Sequence, residues 1–367
     1  MTEPRVIQNA RFHQIIANLA VYSLAHGVVD ATCAAVIFSL LKVQSVTPTE
    51  FFGLVISYNV LAFAFQALIG LAVDRWRAPR FAAVSGCILT AGSAVTIGIS
   101  PLFSVFLAGI GNALFHVGAG TISLNLTPRR AAAPGVFVAP GVFGILIGTL
   151  VGKSGGFVSW PFVSLIAVLC IAIICLKAPK IDYETTKKSK VPDFFELIVL
   201  LLLLSIVVRS LIGTAMVFPW KSDLTLLIAL TCAVFLGKFF GGILADKFGW
   251  MRVAVTALLV SAPLLAFGAG IPYVAMIGMF LFNMTMPVTL VAVSNAIPGR
   301  PGFAFGLTCL ALIAGVLPVL ADTGSFFGNM FVVLTVIFAS AIALYFGLRL
   351  LSSGSGRRTS RAKKLSS

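Results

Sequence analysis

The chain has 367 residues, of which 59% are hydrophobic and only 10% are charged, and its net charge is +15. About a quarter of the residues in an ordinary globular domain are charged, so this composition excludes a soluble globular protein and indicates a membrane protein. The basic excess would suit a nucleic-acid partner in a soluble chain. Here the basic residues gather on one side of a predicted bilayer, so we expect no nucleic-acid partner.

Apolar segments recur along nearly the whole chain, and each is long enough to cross a bilayer core of about 30 Å as a helix. We predict twelve spans at 15–40, 51–72, 81–99, 102–125, 132–152, 157–176, 194–218, 223–245, 252–269, 272–296, 302–321 and 329–350. The predicted fold class is therefore an all-α membrane protein with twelve transmembrane helices. The first span lacks a small-residue cleavage site with a mature domain beyond it, so we expect no removable signal peptide.

Lys and Arg are distributed unequally between the two sides of these spans. With alternating sides, 21 lie on the side of both termini, three on the other side and two within spans. This positive-inside pattern predicts cytoplasmic termini, a bacterial inner-membrane location and a basic tail at 351–367 facing anionic lipids. The six cysteines lie in apolar segments without metal-ligand spacing, so we expect buried thiols, no disulfide, no metal and no cofactor.

The sequence divides into two similar halves. A long polar connection at 177–193 separates spans six and seven, which predicts an N-terminal six-helix bundle at 1–176, a cytoplasmic loop at 177–193 and a C-terminal six-helix bundle at 194–350. "GLAVDRWRAPR" after span two matches "GILADKFGWMR" after span eight, and "NLTPRR" matches "NAIPGR" at nearly the same offset. Duplicated six-span units are typical of secondary transporters, whose substrate site lies at midplane between the halves.

The two matching loops resemble the signature loop of the major facilitator superfamily, in which a glycine is followed four residues later by aspartate and then by basic residues. The second loop follows this pattern, whereas the first has Arg77 where a second glycine is usual. An aspartate here can cap a helix or pair with basic residues and so stabilise one conformation, although a plain tight turn is the alternative. The predicted gating residues are Gly70, Asp74, Arg75, Gly242, Asp246, Lys247, Gly249 and Arg252.

Three further stretches resemble the narrower group of fosmidomycin-resistance-type efflux transporters. They are "GNALFHVGAG" in span four, "VVRSLIGTAMVFPW" in span seven and "MPVTLVAVSNAIPGRPGFAFGL" across spans ten and eleven. This resemblance implies proton-driven export of a small, often anionic or amphipathic compound.

Few ionisable residues lie well inside the spans, where a charge costs at least about 2.5 kcal/mol on insertion scales and marks a functional candidate. Asp30 is the only acid in the middle of a predicted span, and we predict that it carries protons together with His26, one helical turn away. Arg209 lies at the corresponding depth of span seven. We predict that it pairs with Asp30 in one conformation and binds an anionic substrate, the alternative being a static structural pair.

The remaining predicted substrate-binding residues are polar side chains in other spans. Asn112 and His116 lie in span four, and Asn283 lies beside Pro287 in span ten. Lys238 and its repeat counterpart Gln66 are predicted to line the inner vestibule. Packing roles for the histidines, a simple proline kink in span ten and snorkelling of Lys238 to the interface are the alternatives.

These features together predict a monomeric secondary active transporter that exports a small amphipathic or anionic compound in exchange for protons. An importer or facilitator on the same scaffold shares every feature, and a non-transporting sensor or assembly factor is a further alternative. The short loops carry no catalytic triad pattern, phosphate-binding loop or metal spacing, which argues against an enzyme. Nothing in the sequence resembles the selectivity filter of a channel.

Overall fold

The computed structural model describes residues 5–42, 46–177, 181, 183, 191–320 and 324–365, and within these ranges it contains helices and no strand. The α-helices are α1 (Arg5–Ser39), α2 (Pro48–Asn59), α3 (Gln66–Trp76), α4 (Pro79–Thr96), α5 (Pro101–Leu126), α6 (Ala132–Val138), α7 (Gly141–Ser154), α8 (Ser159–Cys175), α9 (Phe195–Ala215), α10 (Leu224–Phe248), α11 (Trp250–Gly268), α12 (Pro272–Asn283), α13 (Thr285–Ala296), α14 (Pro301–Pro318), α15 (Gly324–Phe327) and α16 (Met330–Leu365).

Ten helical segments in the described ranges are long and apolar enough to cross a membrane. The predicted spans coincide in order with helical segments, and α1 and α16 extend beyond the predicted bounds at the chain ends. Two predicted spans fall outside the set of ten. Helix α4 has 18 residues but is rich in small and polar side chains, and α8 is apolar but has only 17 residues.

Three of the predicted spans are interrupted helices. A π-helical turn at Val60–Ala64 joins α2 to α3, and α12 passes into α13 at Met284. The break between α6 and α7 lies at Pro140, which has no N–H to donate to the preceding turn. Such breaks leave backbone carbonyls available to other partners, which matters most at the break beside Pro140.

The helices form two groups that pack mainly within themselves. In the first group α4 packs on α5 and α1 on α7, and in the second α9 packs on α14 and α11 on α16. Contact between the groups is made by α3, α5, α6 and α7 with α10, α13 and α14. Glycine permits the close approach, because a Cβ at Gly70 would overlap the carbonyl oxygen of Gly302 and one at Gly242 that of Ala131.

Large apolar side chains cover the outer surface of the helices, as expected where a protein faces lipid. Phe81, Trp160 and Ile99 are 73%, 70% and 82% exposed. Cys175 is also exposed on the helix surface, which corrects the expectation that every cysteine is buried; its place on the lipid-facing side of α8 is the reason.

Candidate functional site

Asp30 lies between two imidazoles inside the first helix group. His26 Nε2 is 3.2 Å from Asp30 Oδ2, and His116 Nε2 is 3.4 Å from Asp30 Oδ1. The two imidazole rings meet edge to face, with their centroids 4.6 Å apart. Helix α1 supplies His26 and Asp30 at i and i+4, whereas α5 brings His116 from the other side. One carboxylate is therefore shared by two histidines, a group that we call the Asp30 cluster.

Backbone carbonyls fix the orientation of both imidazoles. His26 Nδ1 lies 2.8 Å from the carbonyl oxygen of Phe137, and His116 Nδ1 lies 2.9 Å from that of Asn112. A carbonyl oxygen only accepts hydrogen bonds, so each Nδ1 is the protonated, donating nitrogen. Each Nε2 consequently faces the carboxylate of Asp30, either as a lone pair or as a second N–H.

Two further contacts complete the cluster. Asn112 Nδ2 donates to Asp30 Oδ1 at 3.2 Å. Gly141, the first residue of α7, lies against the side chains of Asp30 and His26. A Cβ at this position would be 2.5 Å from Asp30 Oδ2 and 2.8 Å from His26 Nε2. The sequence analysis did not identify Phe137 and Gly141 as part of the site. Their signal was Pro140, which lies at the helix break between them, where the Phe137 carbonyl accepts from His26.

The Asp30 cluster is also the place where ligand-bearing side chains come closest together among the described residues. Ligand atoms of His26, Asp30 and His116 all lie within 4.8 Å of one another, a convergence that sequence spacing did not predict. The two Nε2 atoms face different oxygens of one carboxylate, each at a hydrogen-bonding distance.

The predicted ion pair between Asp30 and Arg209 is not present in this conformation. Arg209 lies in α9 and is only 8% exposed, and its Nη1 donates to the hydroxyl of Thr289 in α13 at 3.0 Å. Within the described ranges no carboxylate forms a salt bridge with it. The pair was predicted because Asp30 and Arg209 lie at the same depth in their spans. The side chain of Asp30, however, contacts α5 and α7, and that of Arg209 contacts α13. Most of the guanidinium N–H donors therefore remain unused.

Lys238 is the second cation near the contact between the helix groups. It lies in α10, is half-buried, and makes no hydrogen bond or ion pair with any described residue. Its charge is attracted by Asp30 and repelled by Arg209, so all three groups share one electrostatic environment. Among the described residues, Lys238 thus interacts electrostatically with one further cation, Arg209, and with one carboxylate, Asp30.

The side chains of Gln66 and Asn283 are buried, whereas the sequence predicted that they contact the substrate pathway. Gln66 is fully buried beneath α14, where its amide donates to the Ala62 carbonyl at 2.6 Å, so it does not line a vestibule in this conformation. Its position next to the π-helical turn and the close approach of Gly306 account for the difference. Asn283 donates to the Met279 carbonyl at 2.9 Å and packs against Gly237, the neighbour of Lys238.

The two predicted gating aspartates each cap a helix of the other group. Asp74 accepts from the backbone N–H of Gly302 at 2.9 Å and of Phe303 at 2.8 Å, at the start of α14. Asp246 accepts from the N–H of Ala131 and Ala132, both at 2.9 Å, at the start of α6. A carboxylate at a helix N-terminus is favoured by the helix dipole and by charge-assisted hydrogen bonds. We call these contacts the two latches; they join the helix groups at the end of the bundle where α1 begins.

Each of the turns that follow the latches contains a residue with a positive φ. Gly249 has a φ of 98°, and Arg77 at the equivalent place has a φ of 54°, in the left-handed region that favours glycine. The Arg77 guanidinium lies 5.8 Å from the ring centroid of Tyr183, and burial together with the charge of Asp74 raises the pKa of the Tyr183 phenol.

The basic gating residues make fewer contacts across the latches. Lys247 lies over the ring of Phe248, 5.1 Å from its centroid, and is exposed, as are Arg75 and Arg252. In this conformation the aspartates and glycines of the two loops join the helix groups.

Known structures with this arrangement of helices are transporters. A variant of the E. coli fucose:proton symporter FucP superposes with a TM-score of 0.67 at 13% identity, covering 92% of this chain and 99% of that chain. The human organic anion transporter MFSD10 superposes with a TM-score of 0.65 at 15% identity, covering 92% and 98%. FucP, solved as a major facilitator superfamily transporter in the outward conformation, gives 0.66 at 14% identity, covering 92% and 99%.

No family profile matches the chain, and no curated protein matches it. The similar structures are transporters and not enzymes. The resemblance predicted from the two loops is confirmed at the level of fold, since the chain is an integral membrane protein with the fold of major facilitator superfamily transporters.

Proposed function

We propose that this protein is a proton-coupled secondary transporter that moves a small organic anion by alternating access. The observation that carries the proposal is the Asp30 cluster, a carboxylate held between two imidazoles inside an apolar helix. An ionisable group at such a depth is costly and normally marks a proton or substrate pathway. Histidine and carboxylate side chains together exchange protons near neutral pH. The fold supplies the two helix groups that such a cycle needs.

The substrate class follows from the unneutralised cations. Arg209 offers a planar set of donors of which one is used, and Lys238 has no partner among the described residues. An anionic group bound between them would satisfy both, and a guanidinium suits carboxylate and phosphate groups in particular. The similar MFSD10 structure is that of an organic anion transporter, which supports the same class.

We further propose twelve spans in two six-helix halves, with α4 and α8 as the two spans beyond the ten apolar segments. The charge asymmetry of the loops supports cytoplasmic termini and an inner-membrane location. The latches hold the halves together at the end where α1 begins, so this conformation would then be closed to the cytoplasm. A ligand or proton drives the cycle only through a difference in affinity between the two states.

Export of the anion, implied by the fosmidomycin-resistance-type resemblance, stays a prediction. One observation favours the alternative of import with protons. Lys238 senses the charges of both Arg209 and Asp30, so an anion at these cations would also stabilise positive charge on the Asp30 cluster. Protons and anion would then bind cooperatively, which is the requirement for symport, and the similar FucP is a fucose:proton symporter.

The experiment uses purified protein in proteoliposomes with a pH-sensitive dye inside. Small carboxylates and organic phosphates are added on either side under an imposed pH gradient, with a cationic drug as a charge control. Asp30→Asn should abolish anion-dependent proton flux, and Arg209→Gln should weaken anion binding. The matched control is Lys221→Gln, because Lys221 is an exposed cation outside the site. Acidification of the interior on adding external anion indicates symport, and alkalinisation of the interior indicates exchange. Normal coupling in Asp30→Asn would contradict the proposal.

A further inference from the structure

We propose that the Asp30 cluster binds two exchangeable protons, one in each contact between an imidazole Nε2 and a carboxylate oxygen. His116 is then a coupling residue equal to His26, not a substrate ligand. The transport consequence rests on the proposed function, but the number of protons is a property of the cluster itself.

The first step of the argument is that both Nδ1 atoms are already committed. Each lies within 2.9 Å of a backbone carbonyl oxygen, Phe137 for His26 and Asn112 for His116. A carbonyl has no proton to give, so each Nδ1 carries one in every state that keeps these contacts. Any further proton on either ring is therefore bound at Nε2, on the side of Asp30.

The second step is that each Nε2 contact needs its own proton. An unprotonated Nε2 facing an ionised oxygen at 3.2 Å or 3.4 Å sets two lone pairs against each other, which is repulsive. The contacts use different oxygens of Asp30, so a single proton cannot satisfy both. The cluster carries a net charge of −1 with neither proton bound, zero with one and +1 with both.

The third step concerns the groups around the cluster. Cys33 on α1, Tyr58 on α2, Lys238 on α10 and Cys309 on α14 all experience the charge of Asp30. Ordinary thiols and phenols are neutral at pH 7, so Lys238 is the charged member of this set. Its positive charge opposes the second proton, and an anion bound beside Lys238 would remove that opposition.

This arrangement couples the anion to the second proton in particular. Two protons moving with one monovalent anion transfer one net positive charge, so the membrane potential as well as the pH gradient would drive the cycle. With one proton the same cycle would be electrically neutral.

The test is nitrogen-15 NMR of histidine-labelled protein in lipid bilayers, with EDTA present throughout. The chain has three histidines, and the exposed His13 is assigned and removed with His13→Gln. As the pH is raised, we expect two imidazolium signals that both convert to the neutral form protonated at Nδ1. In Asp30→Asn both rings should be neutral at a pH where the wild-type rings are charged.

Several outcomes would overturn the inference. The cluster would bind only one exchangeable proton if either buried ring gave a neutral signal protonated at Nε2. The same would follow if either ring stayed neutral at every pH. Transport gives an independent measurement, because His116→Gln should lower the ratio of protons to anions from two to one and abolish the response to membrane potential. Two titrating rings without proton-coupled flux would refute the proposed function alone. Coupled flux with one titrating ring would refute this inference alone.

Discussion

Breaking one latch should open the bundle at the end where α1 begins. In Asp246→Asn one carboxylate oxygen is replaced by an NH₂ group, which faces a backbone N–H of Ala131 or Ala132 and cannot accept from it. A hydrogen bond to a charged acceptor contributes about 1.5–3 kcal/mol, so the closed state should lose stability by about that amount. At 1.4 kcal/mol per tenfold, the equilibrium shifts toward the open state by about 10- to 100-fold. Asp74→Asn should act in the same direction, since Asp74 also accepts two N–H groups.

Double electron–electron resonance between two spin labels would measure this shift in the equilibrium between the closed and open states. Suitable positions are Phe81 at the start of α4 and Phe248 at the end of α10, which are 73% and 53% exposed and lie on different helix groups. The background should lack Cys175 and Cys232, because the other four cysteines are buried. We expect a longer distance to appear in each single variant and to dominate when both latch aspartates are changed.

Two control variants separate the latch from general effects. Asp223→Asn removes a helix-capping carboxylate at the opposite end of α10, where it accepts from Leu226 N at 3.0 Å within one helix group. Trp250→Phe removes a donor to Asp246 without touching α6. Neither should lengthen the distance. If Asp246→Asn and Asp74→Asn leave the distribution unchanged, or if Asp223→Asn changes it equally, the latches do not hold the halves together.

Three further changes test the site and its surroundings. Gly141→Ala places a methyl group 2.5 Å from a carboxylate oxygen of the Asp30 cluster and should reduce proton-coupled flux at least about tenfold. The control is Gly213→Ala, whose Cβ meets nothing within 4 Å and which should leave the flux unchanged. Equal fluxes in the two variants would contradict this account. Arg77→Gly removes the cost of a left-handed conformation, about 1–2 kcal/mol, but also removes a cation–π contact that contributes about 0.5–1 kcal/mol. The melting temperature should therefore change little, and a large drop would contradict this reasoning. Thr289→Val removes the hydrogen bond that orients Arg209 and should weaken anion binding about tenfold in a flux-competition assay, whereas unchanged affinity would place the anion elsewhere.

The sequence predicted the order of the helical segments well and the rotation of side chains about the helix axes poorly. The hydrophobic pattern identified the order of the helical segments, and the i, i+4 spacing of His26 and Asp30 placed them on one face. The pairing of Asp30 with Arg209 rested on equal depth alone. Which way a side chain points depends on the neighbouring helices, so only the structure brought His116 and Asn112 to the carboxylate.

The latches show the same limit in another form. The matching loops singled out Asp74 and Asp246, because the repeat makes them stand out in the sequence. Their partners are backbone N–H groups of Gly302, Phe303, Ala131 and Ala132. A backbone donor has no residue-type signature, so the sequence offered capping of a helix or pairing with basic residues and did not identify which helix is capped.

The packing of α7 on α1 determines how the Asp30 cluster can respond to movement. A Cβ at Gly144, Gly148 or Gly152 would overlap a carbonyl oxygen of α1, so the two backbones are in direct contact over three turns. Helices packed this closely move together as one rigid piece. The close approach of Gly141 to Asp30 and His26 should then be the same in the inward- and outward-facing states, while the gap between the cluster and Arg209 changes. Proton affinity would respond to the cycle through the electric field across that gap, and the proton-binding groups themselves would not need to rearrange.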